Sequence, residues 1–127
     1  MFRSFVIGFA LCCLFSLAAL AGDCPVTGRE EKLGLVANAP TCQEAARLFN
    51  LCTIGASFDA ELALRVDEVC EKTSLAKLPE NERQAYEAAI DACNAPYVKK
   101  RGTINRSVAA HCRVDAMADF AKRHGGS

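Results

Sequence analysis

Apolar residues recur at three- and four-residue intervals through most of the chain beyond residue 40, and no stretch alternates apolar with polar positions for a useful length. That period belongs to helices with one buried face. The first clear segment opens at Thr41, where Thr41-Cys42-Gln43-Glu44 has capping-box spacing. In such a box the hydroxyl accepts a backbone N–H and the glutamate reaches back. Ala45, Leu48, Phe49 and Cys52 form its apolar stripe, and it should end near residues 53–55. A second helix is expected from Phe58 to about Thr73 with Ser57 as cap, and Asp59 and Glu61 in the first turn, where the helix dipole favours negative charge. Phe58, Leu62, Val66 (or Arg65), Val69 and Thr73 trace its inner side with Cys70 beside them, while Asp67, Glu68 and Glu71 decorate the other. A third helix opens at Leu78-Pro79-Glu80, where a first-turn proline costs no hydrogen bond, and presents Ala85, Tyr86, Ala89, Ile90 and Cys93 inward. Pro96 should end it near Asn94. A fourth begins near Asn105 or Ser107, turns Val108, Cys112, Met117 (or Ala116) and Phe120 inward, and carries Lys122 and Arg123 in its last turn. Residues 23–40 are punctuated by Pro25, Gly28, Gly34, Asn38 and Pro40 and read as an N-terminal loop, with Leu33, Leu35 and Val36 as an apolar patch. The expected fold is all-α, a small irregular bundle of about four helices.

The beginning of the chain follows another pattern. Arg3 precedes an apolar run from Phe5 to Leu20, closed by the small-x-small triplet Ala19-Leu20-Ala21. This is the layout of a secretory signal, expected over residues 1–22, with 23–127 as a single domain. The run falls short of the roughly 20 residues that span a bilayer, so no stable membrane anchor is expected. Cys24 stands one position too late for lipid attachment, and Cys12 and Cys13 should leave with the signal. Six cysteines remain: Cys24, Cys42, Cys52, Cys70, Cys93 and Cys112. An even set in a short exported chain reads as a disulfide framework, here of up to three bridges. Joining the ends of neighbouring helices suggests Cys42–Cys52 and Cys93–Cys112, leaving Cys24–Cys70 by remainder. The first pair requires a turn between its members; otherwise Cys42 and Cys52 must each find partners on other helices. In a continuous helix they would stand about 15 Å apart at ~1.5 Å per residue, beyond the roughly 7 Å Cα reach of a disulfide.

Charge adds an asymmetry. Residues 23–93 hold thirteen acidic and seven basic side chains, residues 94–127 two acidic and seven basic. The near balance gives no reason to expect a nucleic-acid partner, and the simplest expectation is that the basic end folds back on the acidic helices. Lys99, Lys100, Arg101 and Arg106 form a cluster suited to a solvated loop or to contact with an anion or a membrane surface. No cysteine pair has the C-x-x-C spacing of a redox or zinc site. His111 and His124 lack ligand partners at helical spacing, and Ser57, Thr103 and Ser107 have no nucleophile-elbow context. Asn105-Arg106-Ser107 is a glycosylation sequon with meaning only in a eukaryotic secretory pathway. With no nucleophile–base pair, metal set or cofactor loop, the expectation is a protein that is not an enzyme and carries no cofactor or metal.

From Thr41 to about Arg123 the layout resembles the LprI-type lysozyme-inhibitor domain of exported bacterial proteins. Cys42 and Cys52 bracket a short helical stretch, Asp59-Ala60-Glu61-Leu62 opens the next helix, and a long helix ends in Cys93. Gly102-Thr103 follows, with Cys112 ten positions after the glycine. Cys24 and Cys70 look like a pair additional to that pattern. The resemblance implies an exported helical domain that binds a protein, lysozyme first among candidates, in the periplasm or outside the cell; it assigns no residue an inhibitory role. Lysozymes are cationic, and an acidic face of Asp59, Glu61, Asp67, Glu68 and Glu71 is expected to steer such a partner. Two other readings fit the same residues: a helical carrier of a lipid or other small molecule, and a periplasmic toxin-immunity protein.

Overall fold

The structure is a computed structural model that describes residues 22–124. The expected export signal, apart from Gly22, lies outside the described residues, as do Cys12 and Cys13. Five α-helices follow in order: α1 (Arg29–Ala37), α2 (Cys42–Cys52), α3 (Phe58–Thr73), α4 (Glu80–Asn94) and α5 (Thr103–Arg123). Short 3-10 turns cover Leu75–Lys77 and Ala95–Tyr97. The all-α expectation holds, but the bundle has one helix more than the pattern indicates.

The additional helix is α1, inside the segment read as a loop. Gly34 lies in its middle and costs helix propensity, yet Leu33 and Val36, three apart, are buried in the common core. Tertiary packing overrides the local punctuation, and Asn38 closes the helix by donating from its side chain to the Gly34 carbonyl at 2.8 Å.

Helix α3 is the axis of the fold, packed against α1, α2 and α5, while α4 reaches the core through α5. Its stripe of Phe58, Leu62, Ala63, Val66, Val69 and Cys70 is buried. Facing it are Ala45, Leu48 and Phe49 of α2, and Ala110, Val114, Met117, Phe120 and Ala121 of α5. Thr41 caps α2 as its spacing implies, accepting from the Glu44 N–H at 3.1 Å. Glu44 does not reach back; it binds the Arg47 guanidinium at 2.6 and 2.8 Å. Ser57 makes no side-chain cap. Helix α4 ends at Asn94, two residues before Pro96. The chain enters α5 through Gly102, at φ 129°, where a side chain would be strained.

Three disulfides staple these elements: Cys24–Cys52, Cys42–Cys70 and Cys93–Cys112, with Cα separations of 4.8, 4.4 and 5.5 Å. Cys93–Cys112 matches the expected pair; Cys42–Cys52 and Cys24–Cys70 are corrected. Cys42 and Cys52 are the first and last residues of one continuous helix and point to opposite ends of the bundle. Because α2 and α3 run antiparallel, the start of α2 meets the end of α3, which joins Cys42 to Cys70. Cys52 at the far end of α2 then takes Cys24 and ties down the N-terminal segment. Three bridges in so short a chain belong to an oxidising, exported environment. Among the described residues no helix is long and apolar enough to cross a membrane.

Candidate functional site

The five carboxylates expected to form one acidic face do not share a role. Asp59 is fully buried and does not belong to the surface at all. It lies at the start of α3, four and seven positions before Ala63 and Val66, on the helix side that faces the core. Its two oxygens accept from the backbone N–H groups of Ile54 and Gly55, each at 2.9 Å, and from the Ser107 hydroxyl at 2.6 Å. A buried carboxylate persists only when its lone pairs are satisfied this way. Asp59 therefore fixes the α2–α3 turn and pins it to α5. Gly55, at φ 74°, supplies the left-handed residue the turn needs.

The other four stand on the outer side of α3. Glu61 pairs with Arg29 of α1, and Glu68 with Arg65 at 2.8 Å. Glu71 is gripped by Arg83 of α4 through contacts of 2.8 and 3.0 Å, and that guanidinium also donates to the Leu75 carbonyl. Asp67 is half-buried beside the Tyr86 hydroxyl, at a long 3.5 Å, and has no cationic partner within ion-pair distance among the described residues. At the centre of this row stands Leu64, 57% exposed. Glu61, Asp67 and Glu68 occupy the positions three before, three after and four after it, which on a helix are its nearest surface neighbours.

Burial, reinforced by the Glu71 charge, raises the Asp67 carboxyl above its ordinary value, while the Tyr86 contact and the charges of Arg83 and Arg113 pull the other way. The same surroundings hold the Tyr86 phenol well above its usual range. The sign for Asp67 follows from linkage. A carboxyl whose folded pKa is raised binds its proton more tightly in the folded state, so stability is lost as pH climbs from the unfolded value of 3.8 through the folded one. Asp67→Asn removes this loss. Asp67 is still solvent-screened, so the gain at neutral pH is about a few tenths of a kcal/mol. Urea unfolding of both proteins on the acid side and near neutrality checks it: the variant's advantage grows with pH, and a variant that weakens as pH rises contradicts the assignment.

The basic end behaves differently from the expected fold-back. The arginine ion pairs of the acidic helices are made by their own Arg29, Arg47, Arg65 and Arg83, while Arg123 pairs with Asp119 inside α5. Lys99, Lys100, Arg101, Arg106 and Arg113 make no ion pair among the described residues. Lys100, Arg101, Arg106 and Arg113 line one groove of about 470 Å³ between the end of α4 and the first half of α5.

His111 is half-buried with its ring edge on Phe49, centroids 4.9 Å apart. His124 contacts Glu82 at 3.0 Å. No group of three or more metal-ligating side chains comes together among the described residues. The sequon hydroxyl, Ser107, is the buried partner of Asp59. Comparison of the chain with protein-family models, curated proteins and solved structures finds no match.

Proposed function

We propose that this chain works in the periplasm or outside the cell as a binding module with no chemistry of its own, and that its partner is a cationic protein, lysozyme being the first candidate. The observation that carries this reading is the setting of Leu64. A large apolar side chain, 57% exposed, is ringed at helical spacing by Glu61, Asp67 and Glu68. An apolar contact inside a charged rim is the usual anatomy of a protein interface. Arg29 and Arg65 pair with two of the carboxylates, while Asp67 makes no ion pair among the described residues and feels Arg83 and Arg113 only at longer range. Carboxylates so placed accelerate encounter with a cationic surface, and the leucine supplies area that leaves water on contact. The resemblance of the helix layout to the LprI-type domain supports the same class of partner.

The test is direct binding of oxidised protein to a cationic lysozyme, compared across single variants of this row. Leu64→Ala weakens affinity by about tenfold, mainly through faster dissociation. Glu68→Lys slows association and flattens its salt dependence. Both side chains point into solvent, so the fold is unaffected. Binding by wild type that neither substitution alters would place the interface elsewhere.

A further inference from the structure

We infer that the groove between the end of α4 and the start of α5 is a second binding site for an organic phosphate, adjoining the Leu64 row through Ala60 of α3 but lined by different charges. Of the arginines among the described residues, Arg101, Arg106 and Arg113 alone have no carboxylate partner, and all three line this one concavity. Lys100 joins them, and no acidic residue is among the lining side chains. In a chain close to neutral, self-repelling cations gathered in one hollow oppose folding slightly, and an anion relieves that repulsion. Four positive charges favour a ligand with about two negative ones, which fits a phosphomonoester better than a single carboxylate. Guanidinium groups suit it further, because their planar forks take phosphate oxygens two at a time.

The site has supporting structure. Arg113 is half-buried and held by Asn94, whose side-chain oxygen accepts from it at 3.1 Å. Cys93–Cys112 lies one residue away from both, so the bridge fixes the two helices on which Asn94 and Arg113 stand. The Tyr97 ring carries Lys100 5.9 Å from its centroid. Tyr97, Val98 and Ala109 give the groove an apolar wall beside its cations. Val98 and Ile104, 79% and 70% exposed, extend apolar surface nearby. A phosphate joined to an apolar body therefore matches the groove better than inorganic phosphate, whether that body is a free small molecule or a lipid.

Calorimetric titration with phenyl phosphate, and co-sedimentation with vesicles of phosphatidylcholine with and without phosphatidate, test the assignment and separate the two sources. Saturable phenyl phosphate binding identifies a free ligand; binding confined to phosphatidate vesicles identifies a headgroup. In either case Arg106→Gln and Arg113→Gln weaken binding by about tenfold or more. Lys122→Gln, about 24 Å along α5 from Arg106 at ~1.5 Å per residue, leaves it unchanged. Arg101→Gln, whose exposed side chain makes no internal bond, serves if Arg113→Gln fails to fold. Absence of binding to both probes, or equal loss in Lys122→Gln, overturns the inference.

Discussion

Replacing Cys42 and Cys70 together by alanine lowers stability by about 4 kcal/mol, the largest effect expected of any disulfide here. Two contributions add. The bridge closes a loop with a sequence separation of 28, and releasing it returns about 3–4 kcal/mol of chain entropy to the unfolded state. Both cysteines are also fully buried between α2, α3 and α5, so truncating them leaves unfilled space in the core. Against a total of about 5–15 kcal/mol for a domain of ordinary stability, the variant is left close to unfolding. The Cys93→Ala/Cys112→Ala double variant is the comparison. Its loop is shorter, with a separation of 19, and Cys112 lies at the surface, so about 3 kcal/mol is lost. Urea unfolding of the three oxidised proteins checks the ranking. Equal losses in the two variants would mean that the bridge buried between α2 and α3 adds nothing beyond loop closure.

The second large effect belongs to Asp59. Asp59→Ala removes the acceptor for two backbone N–H groups and one hydroxyl, all turned toward a site without water access, and costs about 3–5 kcal/mol. Asp59→Asn keeps the shape but presents an amide N–H to one of those donors, and costs about 2 kcal/mol. Ser107→Ala removes one donor of three and costs about 1 kcal/mol. In a double-mutant cycle Asp59 and Ser107 couple by about 1–2 kcal/mol, because they are in direct contact. Additive losses would show that the carboxylate serves the turn alone and not the link to α5.

The Asp59–Ser107 pair also explains what sequence reasoning could and could not reach. Helices α2 and α3 were legible because their apolar stripes are continuous, and α4 because Pro79 and Pro96 mark its ends; of the expected α4 face only Tyr86 and Cys93 are buried, Ala89 and Ile90 are half-buried and Ala85 is exposed. The stripe of α5 was legible only in part, because a polar residue occupies one of its core positions. Taking Val108 and Cys112 as inward misplaces the first half of the stripe, whereas Met117 and Phe120 in the second half are buried. The buried set is Ser107, Ala109, Ala110, Val114, Met117, Phe120 and Ala121, while Val108 is 44% exposed and Cys112 lies at the surface. Asp59 misleads in the same way on α3. As a first-turn acid it looks like a dipole partner on the surface, yet it stands at core spacing from Ala63, Val66 and Cys70. Two polar residues at core positions of neighbouring helices are the signal of a buried pair. Neither helix reveals it alone.

The remaining differences have physical reasons as well. Helix α1 is held by Leu33 and Val36 in the shared core and by Cys24–Cys52, which are non-local contacts that outweigh Gly34 and the flanking prolines. The disulfide pairing depended on the direction of α2 relative to α3. The spacing argument against Cys42–Cys52 was available from the sequence, whereas the antiparallel packing that selects Cys70 was not. Leu64 was missed in the sequence: helical numbering places Glu61, Asp67 and Glu68 beside it, but only the structure shows that it is exposed. The sharing out of α3's acids among Arg29, Arg65, Arg83 and the buried turn needed the tertiary structure.

One measurement tests the central functional claim most directly: titration of a cationic lysozyme's activity with oxidised protein purified from an exporting host, at low and at moderate salt. Stoichiometric loss of lysozyme activity is expected, weakening as salt rises and needing about tenfold more protein with Leu64→Ala. Full lysozyme activity in the presence of excess folded, three-disulfide protein at low salt would contradict it.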